Sequence, residues 1–322
     1  MRQQAFETKN EAAWEALEET VSKIEKGDPK ADFASVPGSF RKVCGDLAIA
    51  QQRMYGRALC ERLNRTVIAA YGLLHKASAQ TAVKALRFAM VTFPASVRRE
   101  WRLFWLNMAL FWLPMFAFIA AAHYDPKWIF TLVTPEMQQQ MDAMYSAEAP
   151  IEALRETYGS DFMMWAFYIQ NNVSIGFRIF AGGVLFTLGA IFFVGFNGLL
   201  IGAITGYIHY AGHTQNFYRF VVGHSSLELL GFIICGVAGM RLGLALLKPG
   251  RLTRRDALRE AGKRALPVLY GGSVMIFLAA FVEGFWSASH APAWAKYTVG
   301  ILLWVVVTAY FLFSGKRSAD AT

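Results

Sequence analysis

Five apolar runs, each about as long as a membrane-spanning helix, constrain this chain of 322 residues more than any other feature. A helix needs about 20 apolar residues to cross the hydrocarbon layer of a bilayer. Charged residues make up only 17% of the sequence, below the roughly 25% typical of soluble domains. The runs occupy residues 101–122, 183–209, 227–247, 267–286 and 297–314. The sequence therefore predicts an all-α fold, a polytopic transmembrane helix bundle over residues 101–317.

The region before the first run, residues 1–100, predicts a helical domain in the cytoplasm. Its first residues lack the apolar core and cleavage site of a signal peptide, so we expect the chain to begin on the cytoplasmic side. Turn signals at Gly27-Asp28-Pro29 and Pro37-Gly38 separate the first two predicted helices. Apolar spacing and capping predict helices at 7–26, at 39–58 with Ser39 as N-cap, at 65–76 and at 79–93.

Basic residues are concentrated directly before the first apolar run. Residues 41–102 hold twelve lysines and arginines against three acidic residues. The positive-inside rule and attraction to anionic lipid headgroups both account for such a stretch. We therefore expect a lipid bilayer, and no nucleic acid, as the partner of this charge. Cys44, Cys60 and Cys235 match neither a metal motif nor a disulfide framework, so we expect them to be packing residues.

The charges of two loops determine the predicted topology. Residues 123–161 hold seven acidic and two basic residues, whereas residues 248–264 hold seven basic and two acidic residues. We expect the acidic loop outside and the basic loop in the cytoplasm. This arrangement needs an even number of crossings before residue 248, so about six crossings are expected in all. The sixth is a polar helix at 162–180 that ends at Gly182-Gly183, and a re-entrant segment with five crossings is the alternative.

The predicted polar crossing contains the most unusual local sequence, Gln170-Asn171-Asn172. Amides without partners are costly in hydrocarbon, so these side chains should face other helices or water. One interpretation is a set of interhelical hydrogen bonds that fixes the bundle. The other is a polar lining for a substrate path.

Glycines recur at four-residue intervals on two predicted spans. Small residues with this spacing allow close approach of helix backbones. Close packing within the chain is one interpretation, and a homodimer face is the other. The glycines are Gly198, Gly202 and Gly206 on one span and Gly239 and Gly243 on another.

Ionisable residues within the predicted spans are few. Arg178 and Arg241 are expected toward the cytoplasm, where both could extend to the interface. His224 and Glu228 share a helix face at the outer side, and Glu283 is expected close by. Such a group could be a proton relay, a metal site or a hydrogen-bonded cluster that caps helix ends, and the last interpretation is favoured. We therefore predict no metal at this group.

Motifs of soluble catalysis are missing from the sequence. It contains no phosphate-binding loop, no Gly-x-Ser-x-Gly elbow and no dinucleotide fingerprint. His209 and His213 have the spacing of helix metal ligands, but no His-Glu-x-x-His sequence accompanies them. We therefore expect a protein that is not an enzyme, with no catalytic residues and no cofactor, and an intramembrane hydrolase is the least favoured reading.

Several short motifs occur in a fixed order along the chain. They are Asp46-Leu47-Ala48, Leu63-Asn64, Asn171-Asn172, Asn197-Gly198, His224-x-x-x-Glu228, Pro249-Gly250 and Glu283-Gly284-Phe285. Their order and spacing resemble the stage II sporulation protein M family of bacterial membrane proteins. The resemblance covers most of the chain from Ser39 to Trp286 and implies a multi-pass protein of the bacterial inner membrane without known catalytic residues. The family's namesake is similar to a membrane scaffold for peptidoglycan-remodelling partners.

Two functions from different classes follow from these features. The favoured one is a non-enzymatic scaffold or anchor that recruits membrane or envelope proteins. The second is a transport or permease-like subunit, in which Asn171, Asn172, Asn197 and Glu228 would line a path. Both place the chain in the bacterial inner membrane with its two termini, including Lys316 and Arg317, in the cytoplasm.

The six-crossing topology predicts the accessibility of single cysteines introduced into a variant without the three native ones. An impermeant maleimide should label Asp125→Cys in intact cells, because that residue lies in the acidic loop. It should label Arg255→Cys only after permeabilisation. Labelling of Arg255→Cys in intact cells would contradict the six-crossing arrangement.

Overall fold

Helices make up nearly all of the regular structure in this computed structural model. It describes residues 2–26, 28, 31–146 and 159–315, and the side chains within these ranges except at 76–80. No strand occurs among the described residues. The chain divides into two compact units, Met1–Arg87 and Phe88–Thr322. The predicted all-α fold is confirmed.

The first unit is built from three helices, α1 (Gln3–Glu25), α2 (Val36–Gln52) and α3 (Arg57–Arg87). Their apolar faces bury a single core that contains Trp14 and Leu63. The indole nitrogen of Trp14 reaches through this core and donates a hydrogen bond to Asp46 at 2.8 Å. This buried bond satisfies the one polar atom of the largest side chain in the core, as buried indole groups require.

A charged cluster joins α1 to α3 at the edge of that core. The Arg62 guanidinium donates two bonds to the carboxylate of Glu18, at 3.1 and 3.0 Å, and a third to Glu11 at 2.5 Å. Hydrogen bonding to Arg62 lowers the pKa of Glu18 below its ordinary value. A forked guanidinium with two carboxylates fixes the mutual register of the two helices.

Several helix boundaries of this unit differ from the predicted ones, and the first helix begins at Gln3 and not at residue 7. Residue Ser39 is not an N-cap, because α2 begins at Val36 with Pro37 in its first turn, a position that proline tolerates. The same helix ends at Gln52, and Met54 adopts a positive φ of 55° and is exposed. The two helices predicted at 65–76 and 79–93 are replaced by the single helix α3.

The second unit begins earlier than the predicted domain boundary at residue 100. Phe93 and Val97 lie in its main apolar core, and a Cβ added to Gly271 would meet the Phe93 ring at 2.0 Å. The short helix that carries these two residues therefore packs with the apolar helices of the second unit. A π-helical turn, Phe88–Thr92, precedes it.

The second unit contains ten helices among the described residues. A 3₁₀ turn, Pro126–Thr131, follows the first long helix, and a π-helical segment, Val282–Ser287, follows the longest one. The helices are α4 (Phe93–Arg99), α5 (Trp101–Tyr124), α6 (Pro135–Tyr145), α7 (Asp161–Tyr168), α8 (Ser174–Gly183), α9 (Leu188–Tyr210), α10 (Thr214–Val221), α11 (Ser225–Leu247), α12 (Arg254–Phe281) and α13 (Ala293–Phe313).

Five helices in the described ranges are long and apolar enough to cross a membrane: α5, α9, α11, α12 with its π-helical extension, and α13. Burial differs greatly among them. In the most apolar stretch of α11, 72% of the residues are buried, against 17% in α5 and in α13. Helix α11 is therefore the central helix, and α5 and α13 turn most of their surface outward.

A further helical run lies between α6 and α9. Helices α7 and α8 are joined by a π-helical segment, Ile169–Val173, into one uninterrupted run over 161–183. At about 1.5 Å per residue the run is about 34 Å long, comparable to the thickness of the hydrocarbon layer. It ends at the predicted Gly182-Gly183 break, after which Phe186 and Thr187 adopt positive φ and α9 begins.

The glycines of α9 face α5 of the same chain. A Cβ on Gly198 would lie 2.2 Å from the Phe111 carbonyl oxygen, and one on Gly202 would lie 2.6 Å from that of Met115. Gly206 has the same constraint against Ala122, at 2.9 Å. Because α5 covers this face, these glycines have no surface left for a second copy of the chain.

The glycines of α11 have the same role against α8. A Cβ on Gly239 would lie 2.7 Å from the Phe180 carbonyl oxygen, and one on Gly243 would lie 2.3 Å from that of Gly183. Gly183 in turn has room only for hydrogen, since a Cβ there would lie 2.1 Å from Gly239. Both glycine faces are thus used for close packing inside one chain.

The contact of Gly198 with α5 predicts a large effect of a single methyl group. Gly198→Ala should lower the thermal midpoint of the purified protein, because the backbone of α5 must move, and overpacking costs about 1–3 kcal/mol. Gly262→Ala is the matched control, since nothing lies within 4 Å of a Cβ at that helical position. Equal midpoints for the two variants would contradict the packing described.

Candidate functional site

The candidate site is a polar cluster buried in the second unit and formed by three separate elements. Asn172 comes from the π-helical segment within the run 161–183. His224 precedes α11 and Glu228 lies in its first turn. Glu283 comes from the π-helical segment after α12. Of these residues, Asn172, His224 and Glu283 are only 3%, 3% and 7% exposed.

Backbone features explain why these three elements meet. The backbone hydrogen bonds of a π-helical turn span five residues, one more than those of an α-helix, which redirects the side chains next to it, and such turns are frequent at functional sites. Both the asparagine and Glu283 lie on turns of this kind. Gly284 allows the second π-helical segment to approach α7 closely, because a Cβ there would lie 3.0 Å from the Cα of Trp165 on α7.

Hydrogen bonds orient the outer atoms of the cluster. Asn172 Nδ2 donates to Glu283 Oε2 at 3.0 Å, and Asn171 Nδ2 donates to Asn172 Oδ1 at 2.8 Å. His224 Nδ1 lies 3.0 Å from the hydroxyl oxygen of Ser287. These bonds use Glu283 Oε2 and His224 Nδ1 and leave Glu283 Oε1 and His224 Nε2 for the contacts described next.

The inner atoms of the cluster face one another at longer distances. His224 Nε2 lies 3.6 Å from Glu228 Oε2 and 4.0 Å from Glu283 Oε1. Hydrogen bonds between nitrogen and oxygen are about 2.7–3.2 Å long. The imidazole therefore approaches both carboxylates without a direct hydrogen bond to either.

The remaining residues predicted for the polar cluster lie outside it. Gln170 and Arg178 are exposed on the run 161–183, and Arg178 Nε contacts the Ser174 carbonyl oxygen at 3.3 Å. Asn197 donates to the Phe193 carbonyl oxygen of its own helix at 2.7 Å. The sequence therefore predicted the residues that meet in the cluster but also included three that share only their polarity.

Two residues of the site were not anticipated from the sequence. Ser287 bonds the imidazole, as described above, and Lys296 is only 2% exposed and donates through Nζ to the Ser287 carbonyl oxygen at 2.6 Å. A lone lysine near the start of the last apolar run was the available signal for Lys296. Nothing local distinguishes Ser287 from the other serines of the chain.

The two histidines with metal-ligand spacing have separate partners. His209 Nε2 lies 2.8 Å from the Tyr218 hydroxyl, and His213 Nε2 lies 2.9 Å from Asp142 Oδ1. The same carboxylate oxygen accepts a hydrogen bond from the Tyr207 hydroxyl at 2.8 Å. The Asp142 contacts hold α6 against the end of α9, and the His209 contact joins α9 to α10, so the two histidines do not form a joint site.

Two protein-family models match the chain, one in each unit. A family model described as stage II sporulation protein M matches residues 105–288. A second, described as a domain of unknown function (DUF8413), matches residues 4–76. No curated protein and no solved structure matches the chain. The first match covers more than half of the sequence and includes Asn172, His224, Glu228 and Glu283.

The two contacts to the Asp142 carboxylate, from the Tyr207 hydroxyl and His213, predict that this residue keeps α6 in place. Asp142→Ala should leave the Tyr207 hydroxyl and His213 without their acceptor, at a cost of about 1–3 kcal/mol. Amide hydrogen exchange within α6 should then rise about tenfold or more. Gln140→Ala, on the exposed side of the same helix, is the control. Unchanged exchange in Asp142→Ala would show that other contacts hold the helix.

Proposed function

This chain belongs to the stage II sporulation protein M family, and from that premise we propose that it is a non-enzymatic scaffold or anchor in the bacterial inner membrane. In this proposal the run 161–183 is a sixth crossing, and both termini lie in the cytoplasm. The acidic residues described in 123–146 and the basic residues of the α11–α12 connection support that orientation. Acidic Glu148, Glu152 and Glu156 and the two basic residues at 316 and 317 lie outside the described residues.

The observation that carries the scaffold proposal is a polar stripe on the exposed face of the run 161–183. Gln170, Ser174 and Arg178 recur at four-residue intervals and are all exposed. In the proposed topology this stripe lies at the depth of the hydrocarbon layer. Polar and charged groups at that depth are costly unless another protein group or water contacts them.

The direction of the Arg178 side chain adds to the need for a protein partner at this stripe. The Arg178 side chain folds back along its helix, so that Nε contacts the carbonyl oxygen of Ser174. The guanidinium is thereby held toward the middle of the run, away from the helix end at Gly183. Among the described residues, no acidic side chain lies within ion-pair distance of it. A helix of another protein can supply the missing carboxylate.

Symmetry favours a different protein over a second copy at this stripe. In a two-fold interface the same surface patch is used on both subunits. Two copies joined along the stripe would place Arg178 close to its own equivalent, and like charges repel strongly in a medium of low dielectric constant. We therefore infer a partner whose membrane helix carries an aspartate, a glutamate or amides.

Photo-crosslinking in native membranes tests this proposal. A benzoylphenylalanine probe at Ser174 should give protein adducts, whereas the same probe at Val305, an outward-facing residue of α13 that is 58% exposed, should react mainly with lipid. Arg178→Leu should reduce the yield of the Ser174 adduct several-fold, because the ion pair is lost. Equal adduct yields from the two probes, or no effect of Arg178→Leu, would contradict partner recruitment at this stripe.

A transport or permease-like subunit is the second candidate, supported by the buried polar cluster. The cleft that the described residues form between α5 and α9, of about 620 Å³, is lined by His123, Tyr124 and His209 among others. It includes none of the cluster residues. Solute flux through liposomes that contain the purified protein, abolished by Glu228→Gln, would favour transport over the scaffold.

A further inference from the structure

We propose that His224, Glu228 and Glu283 bind a divalent cation of the zinc class. Each offers one ligand atom toward a common centre, and these atoms all lie within 4.8 Å of one another. The inference is independent of partner recruitment at the polar stripe, which involves other residues.

The two carboxylates of the cluster, when ionised, would be neutralised by a divalent cation. Two carboxylates face the same buried point, and among the described residues no lysine or arginine nitrogen lies within 4.0 Å of either. The nearby ammonium of Lys296 is directed to a backbone carbonyl oxygen instead. Buried carboxylates must be paired, protonated or bound to a metal. A divalent cation at the centre would neutralise both.

The distances distinguish a metal site from a set of direct hydrogen bonds. Neighbouring ligands of a tetrahedral zinc ion, each about 2.0–2.1 Å from the metal, lie about 3.4 Å apart. The imidazole nitrogen Nε2 is 3.6 Å from Glu228 Oε2 and 4.0 Å from Glu283 Oε1. Both separations exceed hydrogen-bond length and approach the ligand spacing of zinc, so a small inward movement of the carboxylates would close the site.

The outer hydrogen bonds provide independent support. A histidine that binds a metal usually makes a hydrogen bond through its other ring nitrogen, and carboxylate ligands are likewise held by neighbours. Here Ser287 contacts His224 Nδ1, which leaves Nε2 directed inward, and His224 is 97% buried. The Asn172 amide holds Oε2 of Glu283, which leaves Oε1 directed inward. Both ligand atoms are therefore preoriented toward the same point.

The donor set selects the class of cation. One imidazole with two carboxylates matches zinc and related transition metals, whereas magnesium and calcium prefer oxygen ligands alone. Three protein ligands leave a fourth position for water. A bound ion would connect the start of α11 to the end of α12.

Metal content and cobalt spectroscopy test the proposal on the purified full-length protein in detergent. After removal of metals with EDTA and dialysis against Zn²⁺, we expect one equivalent of zinc per chain and a higher thermal midpoint. Co²⁺ should give the visible absorption of a four-coordinate site, and Zn²⁺ should displace it. Absence of both zinc binding and this absorption in the wild-type protein would overturn the proposal without any variant.

Variants identify the ligands. Glu283→Gln and Glu228→Gln should each abolish stoichiometric binding, and Asn172→Leu should weaken it by about 10- to 100-fold, as loss of a supporting bond does. His213→Gln, which removes the partner of Asp142, should bind one full equivalent. Circular dichroism and gel filtration check that each variant is folded. Full binding by folded Glu283→Gln, or loss of binding in His213→Gln, would overturn the assignment.

Discussion

Close contact between Gly183 and Gly239 is the constraint on which the second unit depends. Neither residue has room for a Cβ, so the backbones of α8 and α11 touch. Because α11 is the most buried of the long helices, this contact fixes the run 161–183 against the centre of the unit. The position of Asn172 beside Glu283 follows from it, and with it the whole polar cluster. Packing of small residues thus places polar groups that lie far away in the sequence.

Features that follow from composition and from the spacing of apolar residues were predicted correctly from the sequence. Apolar length predicted the five long helices, and the apolar faces of α1 and α2 around Trp14 and Val43 form the core of the first unit as expected. The spacing of His224 and Glu228, together with loop charges, also placed Glu283 near them. The loop charges predict on which side of the membrane each helix end lies, and this prediction does not depend on exact helix boundaries.

Other features depend on contacts that no local pattern encodes. Gly182-Gly183 was a visible break, but nothing in the sequence distinguishes the π-helical segments from ordinary helix. Helix α3 continues through the gap expected near residue 77, because its residues have no strong breaker there. Asn172 is buried in the cluster, whereas Asn197 makes its hydrogen bond to its own helix. Both are asparagines in apolar surroundings, so the sequence did not distinguish them. Hydrogen bonds join Asn171, Asn172 and Glu283 in the cluster, but the 3.6 and 4.0 Å separations between the His224 imidazole and the two carboxylates depend on side-chain placement that no sequence pattern encodes.

The π-helical segment Ile169–Val173 also limits how this part of the chain can change in length. Such a segment accommodates about one residue more than an α-helix of the same span, while the helices on either side stay nearly in phase. Deleting one residue there would therefore let the run become an ordinary helix and leave Gly183 facing Gly239. Deleting one residue from α8 would instead turn Gly183 by about 100° relative to α7, and bulkier neighbours would take its place. Natural loss of a residue from this run is therefore expected in the π-helical segment, where it would redirect the Asn172 side chain, and not in α8.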